Sequence, residues 1–349
     1  MFVFTATLAA GVALYIAPII SAAAHRYGIL DRGDGNLKEQ KQPVAYLGGL
    51  VVFIAMLVAL SVTQQFDTRL LALLLGASLV VSVGLVDDLG TLVPKDKMLG
   101  QILAATVLVK GGISIEMTHL PSVVAYLGSV FWIVAVTNAF NIIDVSDGLC
   151  AGVGLVTALM MGIWSVAWGD PNQAYLCAAL LGGLAGFLRV NWRPARMYLG
   201  DTGSMLIGMV LAAVVMEGRY SAVNDVAAFI SPMALLCIPL FDLAFVMLCR
   251  LVLGLRIYHG SPDHFAVRMR RHGRSAARIA MTAMVLQLIC GVGAVVAALG
   301  TNLQAAGVGA AGLVGALIVA WRLWRLDPRR PPAPMTPVTP ETQPQELTR

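Results

Sequence analysis

A chain of 349 residues that is 58% hydrophobic and only 12% charged, with a mean hydropathy of +0.80, has too little polar surface for a soluble globular domain. Apolar runs long enough to cross ~30 Å of hydrocarbon recur from end to end, so the chain reads as an all-α polytopic membrane protein and not as a barrel of short alternating strands. The net charge of +5 sits on arginines and lysines beside those runs, which points to anionic lipid headgroups and not to nucleic acid.

Eleven spans are predicted, at 2–22, 44–64, 69–86, 98–112, 121–139, 149–168, 173–190, 199–216, 227–249, 277–298 and 303–322. The first ends in SAAA, which mimics a signal-peptide cleavage site. No basic residue precedes its apolar run and several follow it, so it reads as a retained helix. The third span runs into VGLVDDLG, with Asp87 and Asp88 at its end, and the fifth into NAFNIIDVSDG, with Asn138, Asn141, Asp144 and Asp147. The eighth opens at MYLGDTGS with Asp201. The ninth carries Asp242 in IPLFDLAF and leads to YHGSPDHF, with His259, Asp263 and His264. Cys150, Cys177, Cys237, Cys249 and Cys290 lie inside or beside spans and read as small core residues, not disulfides. Residues 1–326 form the membrane domain. The tail at 327–349 is proline-rich without apolar periodicity and is expected to be disordered.

Basic charge alternates sharply between successive loops. One set of loops and ends holds 21 of the 24 lysines and arginines, and the other holds only Arg69, Lys110 and Arg219. The richer set is therefore placed in the cytoplasm, with the N-terminus outside and the C-terminus inside. With that topology every acidic motif falls on the cytoplasmic face close to a helix end, among cations able to hold phosphates.

Each motif also has a plain structural reading. Adjacent carboxylates are commonly solvated surface, amides cap helices, a GDTGS stretch is often a glycine turn capped by Thr202 or Ser204, and a single loop histidine is seldom a catalyst. Asp242 is different, because an acid inside the membrane normally faces a partner or a cavity. What favours chemistry is the coincidence of several such motifs on one face. Mg²⁺ takes one or two protein carboxylates together with substrate phosphate oxygens, an economy that Asp201 and the amide oxygen of Asn141 fit. Asp87 and Asp88 suit a base or a nucleophile next to an incoming phosphate.

Taken together, VDDLG, NAFNIIDVSDG, YLGDTGS and KQPVAYLGG (Lys41 to Gly49) resemble, in order from about residue 25 to 275, the polyprenyl-phosphate N-acetylhexosamine-1-phosphate transferases of glycosyltransferase family 4. That family includes the GlcNAc-1-phosphate transferases and the phospho-MurNAc-pentapeptide translocase. The resemblance implies ten or eleven helices around a cytoplasm-facing cleft. It also implies transfer of a sugar 1-phosphate, GlcNAc-1-phosphate foremost, from a UDP-N-acetylhexosamine to undecaprenyl phosphate in the bacterial inner membrane, releasing UMP. The implied cofactor is Mg²⁺, with Mn²⁺ as the alternative ion, held by Asn141 and Asp201. The resemblance further implies Asp87 and Asp88 as the acids that activate the lipid phosphate, Asn138, Asp144 and Asp147 at the nucleotide sugar, and Lys41, with Lys38 competing, on phosphate. A homodimer is compatible with this reading.

The last cytoplasmic loop departs from the family pattern. GlcNAc-phosphate transferases carry SPD followed by a HIHH-like cluster, whereas this chain reads SPDHFAVRMRRHGR, with Ala266 and Val267 where histidines are expected. His264 is the histidine kept there and is assigned as a catalytic residue serving the phosphates, with Asp263 and Arg268 as substrate-binding residues and Arg270 and Arg271 as further donors for the pyrophosphate. Two other readings compete: a secondary transporter with cation sites at Asp144, Asp201 and Asp242, and an inactive family scaffold.

Overall fold

The computed structural model describes residues 1–31, 43–90, 92–115, 121–220, 225–254 and 262–326. Lys38, Lys41, His259 and the tail from 327 lie outside the described residues.

The chain starts with α1 (Phe2–Tyr27), whose alanine stripe Ala9, Ala13, Ala17 and Ala24 is buried, and which stops at Gly28 in the left-handed conformation. Two short strands follow, β1 (Leu30–Asp31) and β2 (Val44–Ala45), paired antiparallel with Leu30 opposite Ala45. Next come α2 (Gly48–Thr63), α3 (Thr68–Asp88), α4 (Pro94–Lys110), α5 (Ser122–Ile143), α6 (Leu149–Ala167) and α7 (Pro171–Asn191). Capping chemistry sets several of their starts: Asp67 accepts the Leu70 amide at 2.7 Å to open α3, and Asp170 accepts that of Gln173 at 3.0 Å to open α7.

The centre of the bundle is α8 (Gly200–Met216), which is buried at nearly every position from Thr202 to Val215 and is surrounded by α2, α3, α5 and α6. Gly49 of α2 and Gly84 of α3 permit this closeness, since a Cβ on either would collide with the backbone of α8 around Asp201 to Gly203. Backbone bonds then tie the strand region to the approach of α8. Tyr198 donates to Ala45 at 2.9 Å, Gly48 to Tyr198 at 3.0 Å and Gly49 to Leu199 at 2.9 Å. The LGG and YLGD stretches, about 150 residues apart in sequence, are thereby adjacent.

The predicted ninth span is not one helix. It is α9 (Ala227–Leu235) and α10 (Cys237–Val252), bent by 84° at Leu236. Pro239 has no amide hydrogen to give to the Leu235 carbonyl four residues back. That carbonyl instead accepts from Gln287 Nε2 at 2.6 Å and Thr157 Oγ1 at 3.3 Å, while Gln287 Oε1 accepts the Ile238 amide at 3.2 Å. Gln287 is fully buried on α12 (Ala276–Leu299), so its amide supplies the partners that the broken helix lacks. Before α12 lies the short α11 (Phe265–Arg271), and the described chain ends with α13 (Asn302–Trp324), opened by a capping box between Thr301 and Gln304.

Seven helices are long and apolar enough to cross a membrane, α1, α3, α5, α6, α7, α12 and α13, and the bent α9 and α10 pair makes an eighth if it is one span. The remaining members of the eleven predicted spans are helical but shorter: α2 and α8 are apolar helices of 16 and 17 residues, and α4 has 17. The fold is an all-α polytopic membrane protein in which the described cysteines are free thiols.

Candidate active site

Four helix ends meet at one point: the end of α3, the start of α4, the end of α5 and the start of α8. Asp87 Oδ2, Asn141 Oδ1 and Asp201 Oδ2 all converge on the ammonium of Lys97, at 2.8 Å from Asp87 and 3.2 Å from Asn141, with Asp201 in direct ion-pair contact. The Asn141 amide is oriented by its other end, where Nδ2 donates to Asp201 Oδ1 at 2.8 Å and to Ser204 Oγ at 3.0 Å. Burial alone would lower the pKa of Lys97, but the Asp201 and Asp87 carboxylates outweigh it and hold the group above its ordinary value.

Asp88 faces elsewhere. Its carboxylate accepts the amides of Asp201 at 2.7 Å and Thr202 at 3.1 Å, and the Thr202 hydroxyl at 2.6 Å. It therefore satisfies the free amides at the start of α8 and sits at the positive end of that helix. Gly200, at φ 71°, has no Cβ to collide with the Asp88 carboxylate pressed against it. Thr202 and Ser204 do not cap α8 themselves: Thr202 serves Asp88, and Ser204 donates to the Gly200 carbonyl at 3.0 Å.

A pocket of about 980 Å³ opens beside this cluster. Asp87, Asp88, Asp144, Asp147 and Asp201 line it together with Asp31, and Arg193, Arg196 and Arg270 supply positive charge. Asp147 accepts the Ala195 amide at 3.3 Å, which ties the loop after α5 to the arginine-bearing segment after α7. Tyr46 and Tyr198 stand in the pocket with ring centroids 6.2 Å apart. Burial, followed by the nearby Asp147 and Asp31 carboxylates, pushes the Tyr198 hydroxyl up, so it remains a hydrogen-bond donor at neutral pH.

Of the predicted site residues, Asn141 stands in the adjoining Lys97 cluster, and Asn138, Asp263, His264, Arg268 and Arg271 lie outside this pocket's lining. Asn138 is turned to α4, donating to Gln101 Oε1 at 2.6 Å and to its own helix at Val134. Arg268 and Asp263 are 3% and 2% exposed and bind one another at 2.6 Å. Arg268 also donates to the Leu323 and Leu326 carbonyls at 3.0 and 2.9 Å and lies 5.2 Å from the centre of the Phe245 ring. Its guanidinium is occupied in fastening the end of α13, and the arginine of α11 that reaches the pocket is Arg270.

His264 has the partner that Asp242 required. Its Nδ1 lies 2.9 Å from Asp242 Oδ2, and Asp242 Oδ1 accepts the Phe265 amide at 2.9 Å, so this fully buried acid holds the start of α11. Asp242 is thereby engaged in an internal contact and not standing alone as a cation site.

Sequence reasoning counted Lys97 only as a topology-setting charge, and it missed Tyr46, Tyr198, Arg193, Arg196 and Asp31 as pocket residues. The one signal for Lys97 was its position one turn into the helix that follows the acid pair.

Among the described residues no three His, Cys, Asp or Glu side chains gather as a metal cluster. The Lys97 position nevertheless tests the fit of a cation, because two carboxylates and one amide oxygen already meet around a positive charge. An all-oxygen set with few protein ligands suits a hard divalent ion.

Comparison with known proteins places this architecture. Residues 70–219, which carry Asp87, Asp88, Asn141 and Asp201, match the model of glycosyl transferase family 4. A Bacillus subtilis protein named probable undecaprenyl-phosphate N-acetylglucosaminyl 1-phosphate transferase is 27% identical over 292 residues, 81% of each chain. The decaprenyl-phosphate N-acetylglucosaminephosphotransferase of Mycobacterium tuberculosis is 31% identical over 277 residues, 68% of each. A phospho-N-acetylmuramoyl-pentapeptide-transferase of Carboxydothermus hydrogenoformans is 25% identical over 288 residues, 74% of this chain and 86% of that one. The chain belongs to glycosyl transferase family 4 and is a glycosyl-phosphate transferase.

Proposed function

We propose that this enzyme transfers a sugar 1-phosphate, GlcNAc-1-phosphate foremost, from a UDP-sugar to undecaprenyl phosphate as the first membrane step of a cell-envelope polysaccharide. The observation that carries the reading is the convergence of Asp87, Asn141 and Asp201 on one cation position, beside a pocket bordered by three arginines. The relatives named as undecaprenyl-phosphate and decaprenyl-phosphate N-acetylglucosamine phosphotransferases support the same class.

An oxygen of the lipid phosphate attacks the sugar-bearing phosphorus of the UDP-sugar, the phosphoanhydride bond breaks, and UMP leaves with the bonding pair. Both reactants are anionic, so the barrier is largely repulsion and positioning. Arg193, Arg196 and Arg270 offset charge on the diphosphate, and the Tyr198 hydroxyl donates to an oxygen within the same pocket. Asp144 and Asp147 accept from sugar or nucleotide hydroxyls. Asp87 faces the acceptor phosphate, while Asp88 keeps the start of α8 in place. Asn141 and Asp201, with Asp87 beside them, are the residues that would hold Mg²⁺ or Mn²⁺, which would supply positive charge to the phosphate oxygens.

The pocket is assigned to the cytoplasmic face of an eleven-crossing protein of the bacterial inner membrane, with the N-terminus outside, from the basic-loop asymmetry of 21 against 3. Placement at helix ends lets the polyprenyl chain stay in hydrocarbon while the nucleotide arrives from water. The test supplies purified protein with undecaprenyl phosphate, Mg²⁺ and a panel of UDP-sugars, and follows UMP. Release of UMP that requires both lipid phosphate and one UDP-sugar is expected; no UMP from any member of a panel covering the common UDP-hexosamines would overturn the reading.

A further inference from the structure

The ion cluster contains one group that the transfer reaction does not explain. Lys97 is charged, its side chain is only 16% exposed, and its ammonium occupies the point where Asp87, Asn141 and Asp201 converge. Two ionised carboxylates this close in a partly dry site repel one another and lack water to compensate unless they share a proton or a cation lies between them, and here the cation is present. Lysine meets that need as a compact point charge with three donors, and here all three have an oxygen partner.

The same three oxygens are the ones assigned above to a divalent ion. One focal point holds one cation, since an ammonium and a divalent ion sharing these oxygens would repel at contact distance. The lysine is also built to leave: its flexible four-carbon stem springs from the first turns of α4, and the adjoining pocket gives the freed ammonium a polar volume to enter.

We propose that Lys97 is an internal counter-ion that keeps Asp87, Asn141 and Asp201 gathered in the metal-free protein and is displaced into the pocket when a divalent cation binds. The inference rests on the metal-ligand reading above. It makes Lys97 a positioning residue for an empty site that would otherwise repel itself apart. It also makes metal affinity a competition between the incoming ion and a cation already in the chain.

Two measurements on the full-length protein in detergent test it. In the first, Mn²⁺ binding is followed by electron paramagnetic resonance for the wild type and Lys97→Met. Met fills similar volume without charge, so the variant should bind Mn²⁺ at least about tenfold more tightly, with the competitor gone. In the second, an amine-reactive ester is applied to the wild type with and without Mn²⁺, and modification is mapped by mass spectrometry. Lys97 should be protected without metal and become severalfold more reactive with it, while Lys95 and Lys110 serve as controls that do not change. This second measurement needs no variant and stands even if Lys97→Met folds poorly. Tight Mn²⁺ binding with unchanged or falling Lys97 reactivity would overturn the displacement and leave the ligand assignment intact. Absence of Mn²⁺ binding in both proteins would overturn the ligand assignment and this inference with it.

Discussion

The clearest separation between a structural and a substrate role lies in two of the three arginines of α11, Arg268 and Arg270. Arg268 and Asp263 form an almost fully buried pair, and removing one partner of such a pair strands an uncompensated charge, at a cost of ~3–5 kcal/mol. Asp263→Ala removes the carboxylate and should therefore cost in that range. Arg268→Ala strands the carboxylate instead and also releases the Leu323 and Leu326 carbonyls, loosening α13. The double change Asp263→Leu with Arg268→Met should recover much of the loss, because no charge remains to be buried. Arg270→Ala alters a pocket residue and should leave stability within ~0.5 kcal/mol while weakening UDP-sugar binding by roughly 1.5–3 kcal/mol, the worth of a hydrogen bond to a charged group. The assay is thermal unfolding in detergent, paired with UDP-sugar binding measured below every transition. Unchanged stability with lost nucleotide binding in Arg268→Ala would refute the reasoning and return Arg268 to the substrate.

Other outcomes follow from the same contacts. Asp201→Asn and Asn141→Ala should each lose nearly all turnover and most Mn²⁺ affinity while remaining folded, as read by UMP release and paramagnetic resonance. Asp87→Asn should depress turnover with stability preserved, whereas Asp88→Ala should lower the unfolding temperature as well, by leaving two amides and a hydroxyl at the start of α8 without their acceptor. Gly84→Val should fail to assemble, because any side chain there meets the backbone of Asp201 and Thr202; size-exclusion behaviour in detergent reads this directly.

Much of this site is legible in the sequence, because the helices that carry it end in polar clusters that lipid would penalise. Asp87, Asp88, Asp144, Asp147 and Asp201 all reach the pocket, and the unease about Asp242 pointed to a real partner in His264. What the sequence hides is rotation about a helix axis. Asp87 and Asp88 are neighbours in the chain, but about 100° apart on a helix, so one meets Lys97 and the other meets α8. Arg268 and Arg270 are separated by about 200°, nearly opposite faces, and the seven residues of α11 carry too short an apolar pattern to say which faces inward. The bend at Leu236 is hidden for a related reason: Pro239 lies in an uninterrupted apolar run, and the side chain that completes the break, Gln287, comes from a helix about fifty residues later.

The acid pair shows how this chain accommodates two adjacent carboxylates in a place where each is costly. Asp88 alone would hold the start of α8, and Asp87 alone would serve the ion cluster, but neither could do so unless α8 began at one fixed height against α3. Gly84 sets that height by letting the two backbones touch, and Asp88 then fastens it through three hydrogen bonds. With the start of α8 fixed, the Asp201 carboxylate is held by the Asn141 amide, which Ser204 in turn orients. Backbone contact and hydrogen bonding thus fix where the ion position lies, and a positive charge holds its two acids together there. The cation, whether the Lys97 ammonium or a divalent ion, completes a site that the packing of α3, α5 and α8 has placed.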